Sequence, residues 1–270
     1  MDPLASLKGI GNYYPYLLAI AVAAARMGGV MMMMPAFTRL GLSGAVRTGI
    51  ALVLALPILP LIVSDLSTAN FGLTQLAMIL AKEAAVGMAL GVILGIPIWA
   101  AEAAGEILDL QRGATFAELV DPSYTGTNNT MGTFFAITML SLYFIGGGLS
   151  VTLRTVYESY TLWPLTSLMP MFNMEAGRLL LAVLDDIIGL GLMLVAPLVL
   201  AMLIADLSLA LVARAAPHMN VFVLSLPVKN FALALLLVLY GAFLLSYMRD
   251  NLGTLLDSRA RLELIAPKRN

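Results

Sequence analysis

Long apolar stretches alternate with short polar ones along this chain. Charge-free runs cover 9–25, 48–64, 84–101, 122–153, 187–205 and 230–248. A helix crossing a bilayer needs roughly 17–25 mostly apolar residues, so most of these runs are long enough to cross. They are continuous, without the inside–outside alternation of barrel strands, which excludes a β-barrel. The pattern predicts an all-α, polytopic integral membrane protein with about six apolar helical segments, near 14–35, 47–64, 75–101, 131–152, 179–205 and 228–248. A further apolar stretch, 207–226, is interrupted by Arg214 and by Pro217-His218. Pro57, Pro60, Pro97, Pro164, Pro170 and Pro197 fall in or beside apolar segments. Each frees a backbone carbonyl and kinks its helix, which at membrane depth requires protein or water nearby. Kinked helical hairpins packed on protein, not on lipid alone, are therefore expected.

Composition sharpens this picture. The chain is 60% hydrophobic and 11% charged, with a mean hydropathy of +0.94, against about 25% charged residues in soluble domains. A net charge of −1 gives no reason to expect nucleic acid as a partner. No cysteine is present, which excludes disulfides, thiolate metal sites and cysteine nucleophiles. The apolar run 19–25 has only Lys8 before it and is read as a retained first span, not as a signal peptide. Residues 1–250 read as one membrane-embedded domain and 251–270 as a short tail. Arg249, Arg259, Arg261, Lys268 and Arg269 place that end in the cytoplasm by the positive-inside rule. With six spans the N-terminus lies there too, although Arg39 and Arg47 then flank an outside loop.

Few residues offer catalytic chemistry. Residues 41–44, Gly-Leu-Ser-Gly, match the pattern of rhomboid-type intramembrane serine proteases, with His218 as the one histidine able to serve as base. Ser43 lies between two arginines at a membrane edge, however, and a short glycine–serine loop explains the motif equally well. There is no Walker motif, zinc-type cluster or dinucleotide fingerprint. No catalytic residue, metal or cofactor is expected. Charge within apolar sequence is the stronger signal: Arg26, Lys82-Glu83, Asp185-Asp186, Asp206, Arg214 and Lys229. An ionised group at the bilayer centre costs about 2.5–3.5 kcal/mol or more, so such residues face partners or water. They form either an ion pathway or polar contacts between helices or subunits, with Asp185 or Asp206 pairing Arg214 or Lys229. Four consecutive methionines, 31–34, suit ordinary packing or a surface that meets varied partners. Gly146, Gly147 and Gly148 allow either a close helix approach or a bend.

The segment 102–121 differs from everything around it. It holds Glu102, Glu106, Asp109, Glu118 and Asp121, five of the sixteen acidic residues, with Arg112 as its one cation. This stretch and two others carry a family resemblance. One is 25–60, with Arg26, a proline ending the first span, and Arg47 opening a second span that finishes in prolines. The next is 105–148, with Asp109-x-Gln111-Arg112-Gly113, then Asp121-Pro122, then an apolar span ending in glycines. The third is 196–230, with Pro197, Asp206, Arg214, Pro217, Asn220, Phe222, Pro227 and Lys229 in order. Together they resemble the T component of the bacterial type III secretion export apparatus, homologous to the flagellar export protein FliR. The Gln111-Arg112-Gly113 form is closer to the injectisome members.

That resemblance implies a non-enzymatic structural subunit of a helical, multi-subunit export gate in the bacterial inner membrane. Its partners would be the R, S, U and V components, membrane lipid, and unfolded protein substrates in transit. It also implies that the loop Gln111, Arg112, Gly113, Ala114, Thr115, Phe116, Ala117, Glu118 to Asp121 projects into the pore as a plug. In that loop Arg112 would tether to an acidic neighbour and Gly113 would permit a tight turn. Asp185, Asp206, Arg214, Asn220 and Lys229 would be assembly or buried polar contacts. The alternative, an ion-coupled secondary transporter of small solutes, would use Asp185, Asp206 and Lys229 for coupling. Such transporters usually show two half-repeats, and none is visible here.

Overall fold

The computed structural model describes residues 3–67, 72–114, 129–165, 176–216, 218 and 221–253. Every regular element among them is helical. We number the α-helices α1 (Pro3–Met33), α2 (Pro35–Thr38), α3 (Gly44–Ala55), α4 (Leu59–Ser67), α5 (Leu73–Gln111), α6 (Thr130–Ile145), α7 (Gly148–Leu162), α8 (Ala176–Ala215) and α9 (Val221–Leu252). Among the described residues five spans are long and apolar enough to cross a membrane, or six if α6 and α7 count as one broken span. This is a multi-pass α-helical membrane protein. The basic tail expected at 251–270 lies outside the described residues beyond Gly253.

The described residues form two compact units, one from Met1–Gly95 and Leu149–Leu180, the other from Ile96–Gly148 and Leu181–Thr254. In the first, α1 packs on α3 and α4. The buried face of α1 runs through Ala19, Val22, Ala23, Arg26, Met27, Val30 and Met31, the three-and-four spacing of one helical stripe. Of the four methionines, Met31 on the α1 stripe and Met34 just past its end are buried, while Met32 and Met33 are exposed. Pro35 ends α1: Met34 before it is extended at φ −76°, ψ 122°, because proline disfavours the helical region for its predecessor. At Pro57 a 3-10 turn, Leu56–Ile58, separates α3 from α4.

Arg26 sits in that buried stripe and brings its own solvation. Its Nε donates to Glu83 at 2.5 Å, one terminal nitrogen donates to Glu83 at 3.0 Å and to the Trp163 carbonyl at 3.0 Å, and the other donates to the Ser159 hydroxyl at 2.8 Å. The Tyr160 ring lies 3.6 Å from its guanidinium carbon. Lys82 Nζ pairs with Glu83 at 3.0 Å and donates to the Pro164 carbonyl at 2.8 Å. Arg26 and Glu83 are both fully buried. Glycine makes the approach possible: a Cβ on Gly87 would run into the Arg26 carbonyl, and one on Gly29 into the Ala84 carbonyl. Glu83, Gly87 and Gly91 recur every fourth residue, so α5 presents one carboxylate and two gaps along one face.

In the second unit the α5 stripe Ala101, Ala104 and Leu108 is buried. Its crossing with α6 is tight, since a Cβ on Gly105 would strike the Met131 carbonyl. Gly191 of α8 packs on the backbone at Ala100. The triple glycine proves to be a break: α6 stops at Ile145 and Gly147 adopts φ +76°, a conformation that glycine enters without a Cβ penalty.

Candidate functional site

The unusual polar segment begins where α5 ends. Gly113 has φ +79°, its N–H donates to the Leu110 carbonyl at 3.1 Å, and the Ala114 N–H donates to the Asp109 carbonyl at 3.0 Å. Those two bonds with a left-handed glycine are a Schellman stop. The stop is braced by charge. Asp109 Oδ1 accepts Arg112 Nε at 2.8 Å and pairs with a terminal nitrogen of Arg112 at 2.6 Å. Asp109 Oδ2 accepts the backbone N–H groups of Met131 at 2.9 Å and Gly132 at 3.1 Å, the free donors in the first turn of α6. Beside it the Asn129 amide donates to Glu106 at 2.9 Å.

The opening of α9 reaches the same point. Lys229 Nζ pairs with Asp206 of α8 at 2.7 Å and donates to the Gln111 carbonyl at 3.1 Å. A cation is thus held on the C-terminal carbonyls of α5, where the helix dipole favours it. Arg112 also donates to Asn230 Oδ1 at 3.4 Å, and Leu226 lies against Gly113. Four helices of this unit meet here through five polar side chains: Asp109, Arg112, Asp206, Lys229 and Asn230.

Of the residues singled out by sequence, the structure brings together Gln111, Arg112, Gly113, Asp206 and Lys229. Ala114 completes the stop. Thr115, Phe116, Ala117, Glu118 and Asp121 lie outside the described residues, as does Asn220. Asp206 pairs with Lys229, one of the pairings the sequence left open, whereas Asp185 and Arg214 are both exposed. About 30 Å of α8 separates Asp185 from Asp206 at 1.5 Å per residue, so Asp185 does not share the cluster. Ser43 is an exposed N-cap residue and His218 is also exposed. Among the described residues, no group of three or more His, Asp or Glu side chains could hold a metal ion.

Sequence reasoning did not single out Asp109, Glu106, Asn129 or Asn230 as site residues. The signal for Asp109 was its place three residues before Arg112 and four before a glycine, the spacing of a braced helix end.

Comparison with known proteins matches residues 17–255 to the bacterial export proteins, family 1. The chain belongs to this family. Among the relatives of this bacterial export protein is the Yop proteins translocation protein T of Yersinia pestis. It is 31% identical over 242 residues, covering 89% of this chain and 92% of that protein. The secretion system apparatus protein SsaT of Salmonella typhimurium is 28% identical over 226 residues, 83% of this chain and 87% of its own length. The flagellar biosynthetic protein FliR of Caulobacter vibrioides is 26% identical over 237 residues, 88% and 94% respectively. The resemblance to the T component, injectisome-type ahead of flagellar, agrees with these matches.

Proposed function

We propose that this bacterial export protein is a structural, non-enzymatic subunit of a type III protein export gate in the inner membrane. It assembles with R, S, U and V components and helps enclose and plug the pore taken by unfolded secreted proteins. The segment 111–121 serves as the plug, and Asp206 and Lys229 hold its start in place. The observation that carries this reading is the braced start of that segment. Gln111 and Arg112 are gripped by Lys229, Asn230 and Asp109, where a plain solvent-exposed connection needs no such hold. A polar, glycine-bearing backbone suits a wet lumen, where backbone groups find water that hydrocarbon cannot supply. Large apolar side chains left bare on α9, among them Phe231, Val238, Leu239 and Phe243, fit coverage by lipid and neighbouring subunits.

Deleting or glycine-substituting 111–121 in the native host tests the plug. Proton and small-ion leakage should rise while the assembly still forms. Unchanged leakage with normal secretion would reject it. Assembly is tested separately, by purifying a tagged copy in mild detergent and identifying what comes with it; a lone monomer or homodimer would sink the gate reading.

A further inference from the structure

We infer that Asp109 is a positioning residue that clamps together the two helix ends flanking the 115–128 connection, stopping α5 and starting α6 with one carboxylate. The N-cap of a helix is ordinarily local, a side-chain oxygen reaching the N–H two or three residues ahead. Asn129 occupies that position at α6 but makes no side-chain cap; its amide turns to Glu106 instead. Capping is delegated to Asp109, on a different helix, whose Oδ2 takes both the Met131 and Gly132 N–H groups. The other oxygen of the same side chain holds Arg112, one residue before the left-handed Gly113. The carboxylate is only 3% exposed against 18% for Arg112, so water does not readily replace it. Loss of Asp109 therefore frees both ends at once: Arg112 loses its anion, and two N–H groups of α6 lose their acceptor.

Clamping as such stands on these contacts alone; its consequence for ion sealing rests on the plug reading above. The chain has no cysteine, so a single engineered pair reports the separation of the two helix ends. A Cβ at Gly132 would lie 3.0 Å from Glu106 Cγ, where the sulfur of a cysteine at 106 would stand, a geometry that suits a disulfide. The double variant Glu106→Cys, Gly132→Cys is expressed as the full chain in native membranes and oxidised mildly. It is then compared with the same pair carrying Asp109→Ala. Cross-linking should fall severalfold without Asp109, and ion leakage should rise. The residual oxidised disulfide should lower that leakage, and reductant should raise it again. Should Asp109→Ala fail to accumulate, Asp109→Asn keeps an oxygen that can accept the α6 N–H groups but has no charge to pair Arg112, and its yield should lie between the two. Cross-linking that is undiminished in both variants at equal abundance overturns the clamp. A fall in cross-linking with unchanged leakage keeps the clamp and removes the plug.

Discussion

Glu83 and Asp109 lie on the same long helix, and each is a buried carboxylate bound by an arginine, yet the two are held differently. Glu83 is fully buried and shared by two cations, Arg26 and Lys82. It lies one turn from glycines that let two helix backbones touch, and its two cations, both on packed helices, reach on to carbonyls in the turn after α7. Asp109 binds a partly exposed arginine at the end of its helix, and half of its hydrogen bonding goes to the backbone that opens α6. The first carboxylate neutralises charge in a dry interior; the second joins two segment ends within reach of water. Buried ion pairs of the first kind are costly to break because the survivor is left uncompensated.

The largest effect should therefore come from Glu83→Gln, which leaves two buried cations without the carboxylate they share. We expect a loss of about 3–5 kcal/mol, read as a drop in abundance and in the thermal midpoint of the purified protein in detergent. Arg26→Met should cost less, since Glu83 keeps Lys82 at 3.0 Å. Equal losses, or the reverse order, would break the contrast by showing that charge balance does not govern this interior. Next in size is Gly87→Val, whose Cβ meets the Arg26 carbonyl, backbone that cannot swing aside. Overpacking of this kind costs about 1–3 kcal/mol and should spare the junction at Asp109, so hydrogen exchange at Met131 and Gly132 should stay slow.

The two regions also differ in how far the sequence announced them. Apolar runs located the spans because hydrophobic burial needs only composition, and the prolines just past the ends of α1 and α3, Pro35 and Pro57, marked those ends in advance. Arg26, Lys82 and Glu83 stood out as charges within apolar sequence. Their pairing was not legible, because 57 residues separate Arg26 from Glu83 and nothing local ties the two together. Glycines at every fourth position after Glu83 were the available hint. At the second region, the family resemblance marked Arg112 as a tether to an acidic neighbour, Gly113 as a tight turn and Lys229 as a motif residue. Asp109 was not legible, because its second role depends on where α6 begins, and tertiary packing sets that.

A smaller effect is expected from Gly113→Ala. A side chain at φ +79° is strained by about 1–2 kcal/mol, and its Cβ would sit 2.7 Å from a Leu226 methyl that can rotate away. Abundance should fall slightly while hydrogen exchange at Ala114 speeds up. Unchanged exchange there would mean that the α5 stop does not depend on glycine, and the junction would be more tolerant than its geometry suggests.

The smallest effect on stability, and the sharpest test of function, belongs to Asp206 and Lys229. Their side chains are 37% and 15% exposed, and pairs of that kind contribute at most about 1 kcal/mol. Lys229→Ala should leave abundance nearly unchanged while raising ion leakage, because the Gln111 carbonyl loses its donor as well. The exchanged pair Asp206→Lys, Lys229→Asp separates the two roles. It restores opposite charges across α8 and α9 but puts a carboxylate, which cannot donate, beside the Gln111 carbonyl. We expect the exchange to recover abundance and not sealing. Recovery of both would show that Lys229 acts only through Asp206, as Arg26 acts through Glu83, and the distinction between a packed charge and a tethering charge would disappear.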